Sequence, residues 1–246
     1  MDATEKKILD CAITDRILGR IDLTWLEKIV KAEGGKSFVI AGNSLNRATP
    51  HDIDIYQDCT GGMEEKRLFD FTNPTIDQLM QGIDGIEAEV VCRTDNATTV
   101  KHNGVIYQFC KYMKPFEELV KGFDYAHVQV GIKITCDLPT RTTVFYTPQY
   151  VTYLLTGHSK YVGSGYPLSS MIRAEKYRRY ELLSNYDFRL SVLLALGEVI
   201  KRGFYDYADF KDQLKALDLS DLEGEETSAA KMLYQICCER GLVDKP

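Results

Sequence analysis

One stretch constrains this chain more than any other: Phe38-Val-Ile-Ala-Gly-Asn-Ser-Leu-Asn-Arg-Ala-Thr-Pro-His-Asp-Ile-Asp-Ile-Tyr56. It reads as a short buried strand, a tight polar turn at Gly42-Asn43-Ser44, a loop closed by Pro50, and a second strand carrying Asp52 and Asp54. Side chains alternate along a strand, so Asp52, Asp54 and Tyr56 share one face while Ile53 and Ile55 enter the core on the other. Asp is disfavoured inside strands, so two of them in a β-type run need a reason. Adjacent carboxylates raise each other's pKa unless a cation lies between them, and hard oxygen ligands suit Mg²⁺ or Mn²⁺. The same residues also read as a half-exposed strand whose outer face is acidic.

The preceding turn favours the first reading. Gly42 admits backbone conformations closed to other residues, Asn43 tolerates positive φ, and Ser44 offers a hydroxyl and an amide. A turn of this kind entering a helix presents N–H groups to an anion, as phosphate-binding loops do. The sequence thus predicts an anion site and a metal site on adjacent strands.

At these residues the chain resembles the polymerase-β-like nucleotidyltransferase superfamily, whose signature is a Gly-Ser or Gly-Gly-Ser turn followed by two Asp separated by an apolar residue. Gly42, Ser44, Asp52 and Asp54 fill that pattern, with Asn43 where a second Gly is common. Val105–Phe109, Gly122–Gln129 and Tyr166–Tyr177 look similar to members encoded by bacteriophages and large DNA viruses. The resemblance implies transfer of a nucleoside monophosphate from a nucleoside triphosphate to a hydroxyl of RNA, protein or a small molecule. It also implies Mg²⁺ or Mn²⁺ at Asp52 and Asp54, with Gly42, Asn43 and Ser44 holding the triphosphate. A third carboxylate is expected on a neighbouring strand. Asp124 is the first candidate, although strand parity points it to the apolar face and turn residues of this type often only cap. Gln108 is the other occupant of that role, with weaker metal affinity. His127 and Gln129 alternate onto a polar face and read either as nucleotide contacts or as a structural hydrogen-bond network. The rival function is a catalytically silent member that binds nucleotide, RNA or a host protein.

The whole chain sets broad limits. Its 246 residues suffice for one large domain or two modest ones, and 44% hydrophobic with 27% charged residues is ordinary for a globular protein. A net charge of −6 excludes a surface coated for nucleic-acid binding, so any such contact must be local. Seven cysteines, an odd number without Cys-x-x-Cys, suggest neither a disulfide framework nor a zinc site and point to a reducing compartment. No signal-peptide pattern opens the sequence and no apolar run approaches a membrane span, so a cytoplasmic protein is expected, in the host cytoplasm if viral.

The periodicity predicts an α+β protein. Helices are expected over 3–18 and, capped by Asp22, up to Gly34-Gly35. Strands follow at 87–93, 99–101, 105–112, 126–135 and 142–146, with Asn103-Gly104 as a hairpin turn and Lys114–Lys121 as a helix. A short helix at 75–81 and helices at 149–155, 169–183, 186–202, 207–217 and 228–240 complete the pattern. The reading divides the chain into a mixed-sheet catalytic domain, 1–147, with helices on one side, and an all-helical domain, 148–246. Leu190, Leu193, Leu194 and Val199 read as core.

One basic stretch stands out in an acidic chain. Around Lys160, Arg173, Lys176, Arg178 and Arg179 only Glu175 opposes. Gly157, Gly163 and Gly165 suggest a mobile loop, and Ser169 or Ser170 a helix cap. Arg173, Lys176, Tyr177 and Tyr180 share a helical face that could clamp a triphosphate and stack on its base, or be a solvated stripe with its tyrosines in the core. On the first reading Arg173→Ala and Lys176→Ala each weaken triphosphate binding by roughly 1–3 kcal/mol at unchanged thermal stability.

Overall fold

The structure is a computed structural model and describes residues 2–46, 52–59, 69, 71, 76, 80, 88–94, 96–137, 139–214 and 239. The predicted helices at 75–81 and 228–240 lie largely outside them, as does Pro50. The chain clusters into two compact units, Met1–Lys121 with His127–Val151, and Gly122–Ala126 with Thr152–Pro246.

The first unit is built on a seven-stranded sheet of order β3-β4-β5-β2-β1-β6-β7. The strands are β1 (Ser37–Ala41), β2 (Ile53–Asp58), β3 (Ala88–Arg93), β4 (Ala97–His102), β5 (Val105–Lys114), β6 (Val130–Thr135) and β7 (Arg141–Tyr146). Only β2 and β5 pair in parallel, so the sheet is mixed. The β4–β5 hairpin turns on Asn103 and Gly104, both at positive φ (52° and 76°), as an Asn-Gly pair requires in a two-residue hairpin loop.

Two helices cover the apolar face. In α1 (Ala3–Leu18) Asp2 and Glu5 form a reciprocal capping box, and Ile13 and Ile17 are buried. In α2 (Leu23–Ala32) the Asp22 carboxylate caps the Trp25 amide, and Trp25, Leu26, Ile29 and Val30 turn inward at helical spacing. Trp25 stacks on His102 at 4.2 Å and meets Tyr107 and Phe109. Phe38, Ile40, Ile53, Ile55, Ile132 and Ile134 supply the centre of this core, none more than 1% exposed.

The expectation that helices lie on one side only is corrected by α3 (Phe116–Lys121). A Cβ on Gly131 would come within 2.8 Å of Val120 and 2.9 Å of Phe116. Gly131 alternates with the buried Ile132, so α3 is seated on the opposite face, and only a glycine lets it approach so closely. A second correction concerns 126–128, predicted as strand. Ala126–Val128 is a 3-10 turn and β6 starts at Val130, because the Ala126 amide donates to the Lys160 carbonyl (2.9 Å) instead of joining a ladder.

The helix α4 (Pro148–Thr156) follows β7. Beyond it the described elements are α5 (Pro167–Arg179), α6 (Asn185–Arg202) and α7 (Tyr207–Leu214). Their core joins Leu168, Val199, Phe204 and Phe210, with Met171 and Leu214 packed against it. Ser169 and Ser170 are buried inside α5 rather than capping it. Its first turn carries Pro167, whose missing N–H costs nothing there. Of the four predicted core residues of α6, Val199 is buried, while Leu190, Leu193 and Leu194 are exposed. The 158–166 segment, expected to be a mobile loop, is tied down: Tyr161 bridges Tyr125, and the Val162 amide donates to the Asp124 carbonyl at 2.9 Å. Among the described residues no helix is long and apolar enough to cross a membrane.

Candidate functional site

The turn after β1 is fixed from several directions. Gly42 sits at φ 89° and ψ −150°, a conformation open essentially only to glycine. Its amide donates to the Val130 carbonyl at 3.1 Å. The turn does not enter a helix as expected: Asn43–Leu45 is a single 3-10 turn, closed by Leu45 and Asn46 amides on the Gly42 and Asn43 carbonyls. Arg16 of α1 donates to the Leu45 and Asn46 carbonyls (3.2 and 3.4 Å). The Asn46 amide group donates to the His127 carbonyl, and its Oδ1 accepts from the Tyr150 hydroxyl at 2.9 Å. Arg16, Asn46 and Tyr150 escaped the sequence reading, since their contacts span 29 to 104 positions.

Against this fixed frame two polar atoms stand out. Ser44 is only 4% exposed, and neither its Oγ nor the buried Oδ1 of Asn43 has a hydrogen-bond partner among the described residues. An orphaned buried polar atom typically costs about 1–3 kcal/mol, so each calls for a partner such as a water, an ion or a ligand.

The two carboxylates lie where alternation put them. Ile53 and Ile55 are buried, and Asp52, Asp54 and Tyr56 are half-buried. A Cβ on Gly42 would stand 3.8 Å from Asp54 Oδ2, so turn and carboxylate adjoin. Burial raises the Tyr56 phenol well above its ordinary range, with Asp54, Cys110 and Asp52 adding to the effect. In the parallel pairing Asp54 stands beside Gln108 and Tyr56 beside Cys110. Further along the same face Asp58 is buried and paired with Lys133 at 2.5 Å.

Several predicted site residues are placed otherwise. Asp124, expected as third metal ligand, belongs to no strand. It is 5% exposed, and its Oδ2 accepts from Arg173 Nη2 at 2.6 Å and Nε at 3.1 Å. The cation intended for a triphosphate and the acid intended for a metal thus satisfy each other. Tyr177 is 7% exposed and packs edge-on against Tyr125 with centroids 4.8 Å apart, so it offers no open face for a base. Lys176 lies half-buried on the same helix. His127 is fully buried, and Gln129 donates to the Lys121 carbonyl (3.1 Å) and accepts from Thr147 (2.7 Å), a structural network. Among the described residues no group of three or more His, Cys, Asp or Glu side chains converges to hold a metal ion.

Comparison with known proteins adds little to this geometry. No family model matches the chain, and no curated protein matches it. Among solved structures it is similar to a Thermotoga maritima CCA-adding enzyme complexed with tRNA, with a TM-score of 0.48, 11% identity, and coverage of 84% of this chain and 51% of that one. This chain therefore spans about half the length of that enzyme chain. A likeness at this level assigns no family.

Proposed function

We propose that the chain is a metal-dependent nucleotidyltransferase, moving a nucleoside monophosphate from a nucleoside triphosphate to an acceptor hydroxyl with release of pyrophosphate. The observation that carries this reading is the adjacency of the Gly42 turn and Asp54, with the Ser44 hydroxyl of the same turn buried and unpartnered among the described residues. The Ser44 Oγ–H would donate to a phosphate oxygen. The first amides of the Asn43–Leu45 turn, which have no partner within a helical turn, would do the same. Gly42, lacking a Cβ, leaves the approach to Asp54 open.

The donor set fits a hard divalent cation. Asp52 and Asp54 supply two carboxylates and Gln108 an amide oxygen beside them, and Mg²⁺ is commonly held by one or two carboxylates together with substrate phosphates. When bound, such an ion would neutralise charge on the triphosphate. Tyr56, a neutral phenol at physiological pH, would flank the pair without adding charge. Binding and orientation by these residues would provide most of the rate, as phosphoryl transfer demands little covalent participation from protein.

The test is incorporation of α-labelled nucleotides, with Mg²⁺ or Mn²⁺, into RNA, protein and small-molecule acceptors. Asp52→Asn with Asp54→Asn is expected to abolish it, and unchanged incorporation would overturn the proposal. A second reading, a silent member that binds nucleotide, RNA or a host protein, is favoured by one observation: the position beside Asp54 holds an amide, not a third acid. Calorimetry with each triphosphate separates the two. Binding that ignores the metal, with no turnover, is the silent outcome.

A further inference from the structure

Helix α6 carries most of its large apolar side chains outward. Tyr186, Leu190, Leu193, Leu194, Leu196 and Ile200 are all exposed, Tyr186 at 73% and Leu193 at 65%. The helix buries Ser191, Ala195 and Val199 on its other side. Helical spacing puts Tyr186, Leu190, Leu193, Leu194, Gly197 and Ile200 on one face, a continuous stripe rather than the isolated exposed residues normal for any surface. An apolar stripe of this length marks an interaction surface.

Its charges indicate the occupant. Asp187 near the amino end, whose carboxylate also accepts from the Ser184 hydroxyl, lies at the edge of the stripe, and Lys201 near the carboxyl end, two heptads on, lies on the same side between Leu190 and Leu194. Turning a second helix antiparallel about an axis near Leu194 brings Asp187 against Lys201 of the partner subunit, twice by symmetry. The same turn brings Leu190 near Gly197 of the partner subunit, where an added Cβ would meet nothing within 4 Å and the surface is open to a partner. Leu193 and Leu194 then meet their own copies at the centre, and the helix dipoles oppose favourably. We propose that α6 is the interface through which two copies of this chain associate, as an antiparallel, isologous helix pair.

The proposal is independent of nucleotidyl transfer. It is tested by light scattering coupled to size exclusion on the full chain over a wide concentration range. The wild type is expected to pass from monomer to dimer, and Leu193→Glu to stay monomeric with unchanged far-ultraviolet circular dichroism. Lys201→Glu should weaken the dimer about tenfold, roughly 1.4 kcal/mol. Adding Asp187→Lys to Lys201→Glu should restore it, because the swapped charges again face each other. A monomeric wild type at every concentration overturns the proposal, as does a Leu193→Glu dimer of undiminished strength. So does a double variant that folds yet stays as weak as Lys201→Glu. If Leu193→Glu lowers the melting temperature of a chain that is monomeric throughout, the stripe is covered within one chain and the proposal fails. Should the double variant not fold, Leu193→Glu still decides.

Discussion

At Gly42 backbone conformation and site access are the same requirement. A methyl group there would be strained by the φ of +89° and would project to within 3.8 Å of Asp54 Oδ2, into the space assigned to the triphosphate. Gly42→Ala is therefore expected to lower stability by about 1–3 kcal/mol, because its φ of 89° and ψ of −150° lie in a region open essentially only to glycine. It should also weaken triphosphate binding by more than strain alone accounts for. Gly104→Ala is the control: its φ is +76° but an added Cβ meets nothing, so it should cost similar stability and leave binding untouched. Calorimetric affinities and melting temperatures of both variants check this, and equal loss of binding in the two would remove Gly42 from the site. The alternation of Asp52, Asp54 and Tyr56 was legible from period alone, because strand geometry admits no other arrangement once Ile53 and Ile55 are buried. The restraint of the turn by Arg16, Asn46 and Tyr150 was not, since it depends on which distant elements the fold brings up.

Among the elements, those whose signals are local were readable and those set by distant partners were not. The Asp22 cap, the Asn-Gly hairpin and the Gly-Gly stop each act within a few residues, and α2, β4 and β5 follow them. The strand expected at 126–128 became a 3-10 turn because its amide went to Lys160. On the basic face expected of α5, Arg173 turns to Asp124, which is remote in sequence. That pairing reverses a prediction. Arg173→Ala was expected to spare stability, yet it would leave the Asp124 carboxylate, 6% exposed, uncompensated. Removing one partner of a buried pair costs about 3–5 kcal/mol. Chemical denaturation should show a loss of that order for Arg173→Ala, and a much smaller one for the Arg173→Met/Asp124→Leu pair, which removes both charges together. An Arg173→Ala variant as stable as wild type would return Arg173 to the list of ligand-binding candidates.

For the molecule as a whole, titration links these local contacts to stability. Among the described residues three carboxylates lie below their ordinary pKa. A hydrogen bond from Arg202 holds Asp209 down, and one from Arg178 holds Glu175 down. Burial pushes Asp22 up, but the Trp25 amide and His102 together outweigh it. A depressed carboxylate binds its proton more readily in the unfolded chain, so its contribution is complete above the unfolded pKa of about 4 and is lost as pH falls through the folded value. At the other extreme burial raises the Tyr107 and Tyr161 phenols and takes Tyr146 up to about 12. There the unfolded chain ionises first, near pH 10, so stability falls as pH climbs past that point. Melting temperatures measured from pH 2.5 to 11.5 should therefore trace a plateau with two falling limbs. Asp209→Asn should flatten the acid limb while lowering the plateau, because it removes the carboxylate whose protonation Arg202 resists and with it the bond's own contribution. Tyr146→Phe should flatten the alkaline limb, since it removes a phenol that burial, with Asp10 nearby, pushes up to about 12. An acid limb unchanged in Asp209→Asn would place the loss of stability in the remaining carboxylates, Asp22 foremost, where the cap of α2 would be the element that gives way.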